Sequence, residues 1–393
     1  LGAGVLLALM VLIGGCATNK VQEKADKAVS DYFAGNYLRA QDRLREAASK
    51  PDENFVLNNV RLGSAALVDY DLDQAEDAFL RAYEVINSVG VNDGGRSLGA
   101  AIVDEKLKIW KGEPYERAMA NFYLGLVYYM RHDYGNARGA FENALFKLRD
   151  YADKDDVRDD YREQESNFVI GLMMLGKAYQ RLGRDDLAEA NFARVRELRP
   201  ELAPLVDPER NATSNLLLVV EYGYGPRKVT NGDGSIVGFT PTPADAGLIP
   251  PPQVVLDGRP IDVSGLSLPP IDLLAMAQDR RWQDIDTIRA IKSGLGTGLI
   301  AGGALTTIYG ANRRDSGTAI AGLAMMGAGA LLKASSHADV RQWEMLPRTV
   351  FVLPLQAPPG RHDLTVYFPQ SAGMRQTWRD IVVPASGEAT YYL

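Results

Sequence analysis

The chain has 393 residues, 46% hydrophobic and 24% charged, an ordinary globular balance with length for two or three domains. A formal net charge of -7 argues against nucleic-acid binding, which needs a basic surface. The single cysteine excludes an internal disulfide and a thiolate zinc site, and His132, His337 and His362 are too dispersed to read as a metal or Ser-His-Asp motif. With no nucleophile beside a base and no paired carboxylates in view, the expectation is a protein that is not an enzyme, with no cofactor.

Gly2 to Gly15 (GAGVLLALMVLIGG) is an apolar run followed by Cys16-Ala17-Thr18-Asn19. The run is shorter than the ~20 residues of a comfortable transmembrane helix and suits the core of a secretory signal. No Met or basic stretch precedes it, so a few residues are expected before Leu1. Leu12-Ile13-Gly14-Gly15-Cys16-Ala17 resembles a bacterial lipobox. The resemblance implies cleavage before Cys16 and acylation of its thiol. Each buried methylene adds ~0.8 kcal/mol, so several acyl chains hold firmly to a membrane. It also implies, from Ala17 in place of Asp, the periplasmic face of the outer membrane.

Residues 17–205 read as helix and repeat. Ala40, Leu44 and Ala47 are matched by Ala75, Phe79 and Ala82, by Ala137, Phe141 and Ala144, and by Ala188, Phe192 and Val195. In the last three a Leu-Gly pair stands upstream at one fixed distance: Leu62-Gly63, Leu124-Gly125 and Leu175-Gly176. Tyr128 and Tyr179 follow two of those glycines at a fixed step, and Pro200 closes the last repeat. Small residues let two antiparallel helices approach, and the rings fill the space beside them. The pattern resembles the tetratricopeptide repeat over roughly half the chain. The first repeat lacks the Leu-Gly pair and reads as a cap. Insertions fall near Asn87 to Tyr115 and at Asp150 to Glu165, the second densely charged.

Trp110 to Arg117 (WKGEPYER) leads into Ala118-Met119-Ala120-Asn121-Phe122-Tyr123-Leu124-Gly125. Two readings stand side by side. Trp110, Tyr115, Glu116, Arg117, Tyr123 and Tyr128 are types that anchor partner surfaces. Alternatively, Pro114 can start a helix whose first turn Glu116 serves. The stretch resembles an uncharacterised family of proteobacterial repeat lipoproteins.

In residues 206–270, Asn215 to Tyr222 (NLLLVVEY) is a buried-strand signal, Lys228 to Pro252 a Pro/Gly-rich surface loop, and Val254 to Gly258 a short strand and turn. Residues 271–336 open with a helix over Ile271 to Lys292. Two uncharged segments follow, Ser293 to Asn312 and Ser316 to Leu332, read as an apolar helical hairpin. Gly294, Gly298 and Gly302 share one helical face, the small-residue device of membrane helix association, and resemble glycine-zipper hairpins of envelope lipoproteins. Membrane insertion and burial in a soluble fold are both open for the hairpin. Residues 337–393 read as strands at Thr349 to Leu355, Asp363 to Phe368, Trp378 to Val383 and Ala389 to Leu393.

The expected architecture is therefore a signal and lipobox (1–16), a mainly α domain of tetratricopeptide-like repeats (17–205), and a small antiparallel β domain joined by Asn215 to Tyr222 and interrupted by the hairpin. The expected function is a periplasmic scaffold, tethered to the membrane through acylated Cys16, that binds another envelope protein or a peptide. The alternative is an oligomeric outer-membrane assembly or pore component using the hairpin.

Overall fold

A computed structural model of the protein describes residues 20–87, 109–149, 165–231, 236–241, 249–278, 341–369 and 375–393. Its N-terminal part is helical: α1 (20–33), α2 (Tyr37–Ala48), α3 (Phe55–Val68), α4 (Leu72–Asn87), α5 (Pro114–Met130), α6 (Tyr134–Arg149), α7 (Val169–Arg181) and α8 (Asp185–Leu198). The repeated glycines do what their spacing predicts. A Cβ built at Gly63, Gly125 or Gly176 would lie 2.8, 2.7 or 2.5 Å from the ring of Phe79, Phe141 or Phe192. Each ring thus packs on the bare backbone of the preceding helix, pairing α3 with α4, α5 with α6 and α7 with α8. The twelve repeated positions, from Ala40 to Val195, are all buried. Ala25, Ala28 and Tyr32 of α1 are buried too, in the pair expected to act as a cap.

The two helices of a pair are not equally covered. α8 buries only Ala188, Phe192 and Val195, one stripe of an amphipathic helix. α7 buries every residue from Val169 to Ala178, and α3 every residue from Phe55 to Leu67. A helix buried all round has neighbours on both sides, and the second neighbour is a later part of the chain, Trp343 and Glu344 against α3 and Glu388 against α7.

A 3-10 helix at Pro200–Val206 and α9 (Pro208–Thr213) lead into β1 (Leu216–Tyr222). Asp207 caps α9 by accepting from the Arg210 N–H at 2.7 Å. β1 is the centre of a three-stranded sheet, with β6 (Thr349–Leu355) antiparallel on one side and β9 (Ala389–Tyr392) parallel on the other. The register places Val219 opposite Val352 and Tyr392. Leu216 to Val220 and all of β6 are buried, as a run of Leu and Val in a strand covered on both faces requires. β1 does join the C-terminal strands, but the sheet is mixed and the expected all-antiparallel domain is corrected. Parallel pairing needs a long crossover, and here almost the whole C-terminal half separates β1 from β9.

The second sheet is antiparallel, in the order β5 (Arg259–Ile261), β4 (Gln253–Leu256), β7 (Gly360–Tyr367), β8 (Arg375–Val383). Phe368 joins the sheets, 4.6 Å from the Tyr222 ring and 6.0 Å from that of Phe351. All these elements belong to one compact unit, which comprises the repeats through Gly225, Pro241–Met276 and Trp343–Leu393.

A second unit comprises Pro226–Thr240 and Ala277–Gln342. Within it β2 (Arg227–Asn231) pairs antiparallel with β3 (Ile236–Thr240), and the Lys228 ammonium donates to the Arg341 carbonyl at 2.7 Å. This hairpin corrects the expected loop over Lys228 to Pro252. The cue was present in Asn231-Gly232-Asp233-Gly234, a turn sequence between two short strand-like runs. Of the helix expected from Ile271, the described part is α10 (Leu273–Ala277). The hairpin glycines Gly294, Gly298 and Gly302, and Cys16, lie outside the described residues. Among the described residues no helix is long and apolar enough to cross a membrane.

Candidate functional site

The inner helices α5 and α7 carry polar side chains that end on the chain's own β structure, at Glu221 and Glu388. Glu388 follows Gly387, whose φ of +84° makes the turn into β9 at no steric cost. The Glu388 carboxylate is fully buried, 3.0 Å from the Lys177 ammonium and 3.1 Å from the Arg181 guanidinium, both on α7. Tyr129 of α5 donates to it at 2.8 Å, and the Ser214 hydroxyl donates a further short hydrogen bond. The Lys177 ammonium also donates to Asn211 at 3.0 Å. Burial alone would raise the Glu388 carboxyl, but Lys177, Arg181 and Ser214 outweigh it and hold the carboxyl below its ordinary range. This buried cluster is fully paired, so it locks α7 to β9 and leaves no group over for chemistry.

Glu221, near the end of β1, has no such compensation. Tyr123 of α5 donates a short hydrogen bond to its carboxylate, and the Tyr392 hydroxyl of β9 shares it. Among the described residues no Lys or Arg forms an ion pair with it or lowers its pKa. Burial raises it to about 7, against the opposing pull of the two tyrosines. Burial, and then the Glu221 charge, push Tyr32 and Tyr392 well above the ordinary phenol range, and Tyr37 up in the same sense.

A cavity of about 580 Å³ opens beside this glutamate. Val220, Glu221 and Leu393 border it, with the Glu221 N–H held by the Leu393 carbonyl at 2.9 Å. The α1–α2 turn supplies Phe33 and Tyr37, and the second sheet supplies Phe368, Arg375 and Trp378. Phe33 is 43% exposed and packs on Tyr224, 42% exposed, with ring centroids 4.9 Å apart. Four aromatic rings thus share the wall with smaller apolar residues, Gln376, the acid Glu221 and one exposed cation on β8.

The residues expected to meet a partner are placed differently. Trp110, Tyr115, Glu116 and Tyr123 are buried, while Arg117 and Tyr128 are half-buried. Glu113 and Glu116 form a reciprocal capping box around Pro114 at the start of α5, the structural of the two readings. The other oxygen of Glu116 accepts from the Trp343 N–H at 2.8 Å. Arg117 donates to the Gly112 carbonyl at 3.0 Å. The Trp343 ring lies 5.6 Å from Tyr123 and its indole N–H donates to Ser64 at 3.1 Å, while Arg61 of α3 pairs with Glu344 at 2.6 Å. Of these residues, Glu116 and Tyr123 serve as anchors, but for Trp343 of the same chain. Sequence reasoning missed Glu221 and Glu388; the visible cue for the first was a lone acid in an otherwise apolar strand, LLLVVEY.

Of the histidines, His362 bridges Asp257 at 2.6 Å and the Pro358 carbonyl at 2.7 Å, and His132 stacks on Tyr134; His337 lies outside the described residues. Among the described residues no group of three or more His, Cys, Asp or Glu is arranged to hold a metal ion.

No family model matches the chain, and no curated protein matches it. Among solved structures, the chain is similar to a crystal structure of MamA at 19% identity, over 47% of this chain and 82% of that one, with a TM-score of 0.31. So loose a likeness carries no weight beside the chain's own glycine–phenylalanine contacts.

Proposed function

We propose that this chain is a protein-interaction scaffold of the cell envelope, tethered by a lipid on Cys16, and not an enzyme. The observation that supports it best is the array of helix pairs, built on Gly63–Phe79, Gly125–Phe141 and Gly176–Phe192. Stacked pairs of this kind make an extended surface rather than a reaction centre. Because α3, α5 and α7 are covered by later parts of the same chain, the partner would use the outer helices, where Leu38, Leu80 and Phe146 are exposed, or the cavity beside Glu221. The tether rests on the lipobox resemblance around Cys16.

The test is Cys16→Ser in the exporting cell, with export checked first. Release of the protein, with its partners, into the soluble periplasm is the expected result. Retention in a washed membrane pellet would overturn the sole-anchor reading and favour insertion through Ser293 to Leu332. A wild-type protein that crosslinks to no other protein in membranes would overturn the scaffold.

A further inference from the structure

We propose that the cavity between the α1–α2 turn, the end of β1 and β8 is a binding site for an organic ammonium group, received by the Glu221 carboxylate and the faces of the surrounding aromatic rings. This inference goes beyond the scaffold reading and does not depend on it. It stands on four features. The cavity, about 580 Å³, is in the range of small-molecule sites. Its walls carry Phe33, Tyr37, Phe368 and Trp378, and a cation within ~6 Å of such a ring is attracted to its face. Glu221 is fixed by Tyr123 and Tyr392, so its carboxylate is oriented before a ligand arrives. Finally, the acid lacks a counter-charge among the described residues, whereas the comparably placed Glu388 has two cations within 3.1 Å.

The groups that face Glu221 decide its response to pH. Tyr123 on α5, Tyr392 on β9, Tyr32 on α1 and Tyr37 on α2 stay neutral well beyond neutral pH. Arg375 is the other charged residue of the cavity; it is exposed on β8, where water and salt screen it. Glu221, raised by burial to about 7, is therefore the group that titrates near neutrality. An ammonium ion drives it to the charged form, so binding tightens as pH rises through 7.

The experiment is calorimetric titration of the full chain in nonionic detergent, against n-butylamine, Nα-acetyl-lysine N-methylamide and butyrate. Saturable binding of at least one amine, none of butyrate, and tightening between pH 6 and pH 8 are expected. Preference between the two amines tells a free amine from a peptide side chain. Glu221→Gln should weaken the amine at least about tenfold, the worth of a hydrogen bond to a charged group, and abolish the pH dependence. Phe33→Ala, on an exposed ring that should not disturb folding, should weaken it several-fold while keeping the pH dependence. Absence of saturable amine binding, equal binding of butyrate, or undiminished binding in both variants would overturn the proposal.

Discussion

Two glutamates join the repeat helices to the same sheet, and the protein treats them in opposite ways. Glu388 is met by Lys177, Arg181, Ser214 and Tyr129, and is held charged. Glu221 is met by tyrosine hydroxyls alone and is raised to about 7. Burial is common to both; the difference is the charge brought by the neighbouring helix. α7 contributes a cation at Lys177, whereas α5 contributes a phenol at Tyr123. A carboxylate supplied with cations is a fastener, and one supplied only with hydroxyls keeps its charge open to protons and to other cations.

The sharpest way to break this contrast is at Lys177. Lys177→Met removes one partner of a buried pair and should cost about 3–5 kcal/mol in urea unfolding, because the Glu388 charge is left undercompensated. Pairing it with Glu388→Gln should recover part of the loss. A cost below about 1 kcal/mol would mean that water already reaches the cluster.

At the other glutamate the sign reverses with pH. The folded carboxyl, at about 7, holds its proton where the unfolded one, at about 4.3, has released it. The folded state thus binds more protons in that window, and stability falls as pH rises from about 4.5 to 7, then levels. Glu221→Gln should flatten that slope and gain on the order of 1–3 kcal/mol at pH 8, once solvent screening is allowed for. Glu388, held low, contributes stability that is present above its ordinary range and fades as pH falls below it. Melting curves of Glu221→Gln from pH 4 to 9 check the window, and an unchanged slope between pH 5 and 7 would refute the assignment.

The smallest effects should come from the tyrosines, and they should differ in kind. Tyr123→Phe removes a donor that lowers Glu221, costs about 1–2 kcal/mol and extends the falling limb to higher pH. Tyr129→Phe removes one donor among several at Glu388, costs about 1 kcal/mol and leaves the profile near neutrality unchanged. Equal pH profiles for the two variants would erase the distinction.

The helical half was legible because its packing rule is local. A glycine and a phenylalanine at a repeated interval are enough to place two helices face to face, as Gly63 and Phe79 do. The strands from Thr349 onward were legible for a similar reason, since β6 spans Thr349–Leu355 as its strand-like run and the following Pro/Gly turn predict. What remained hidden were relations between distant residues. Nothing near Trp343 announces that it will donate to Ser64 and to Glu116, or that Glu388 will meet Lys177. An aromatic and charged stretch such as WKGEPYER looks alike whether it awaits another protein or its own chain. The parallel partner of β1 escaped for the same reason, because a crossover of this length leaves no local trace.

The late position of β9 has a bearing on how the molecule is made. The helices from α1 to α8 leave the ribosome long before Glu388 and Tyr392 exist, and chains of this length gather structure from the N-terminal side. Until residue 388 arrives, Lys177 and Arg181 have no counter-charge there, and Tyr70 has no Tyr392 carbonyl to receive its hydrogen bond. An interrupted chain therefore carries its repeats with a cationic, apolar flank open to water. Completion of the sheet hides that flank, so the short stretch from Glu388 to Tyr392 tells a chain whose repeats are covered from one whose repeats are bare.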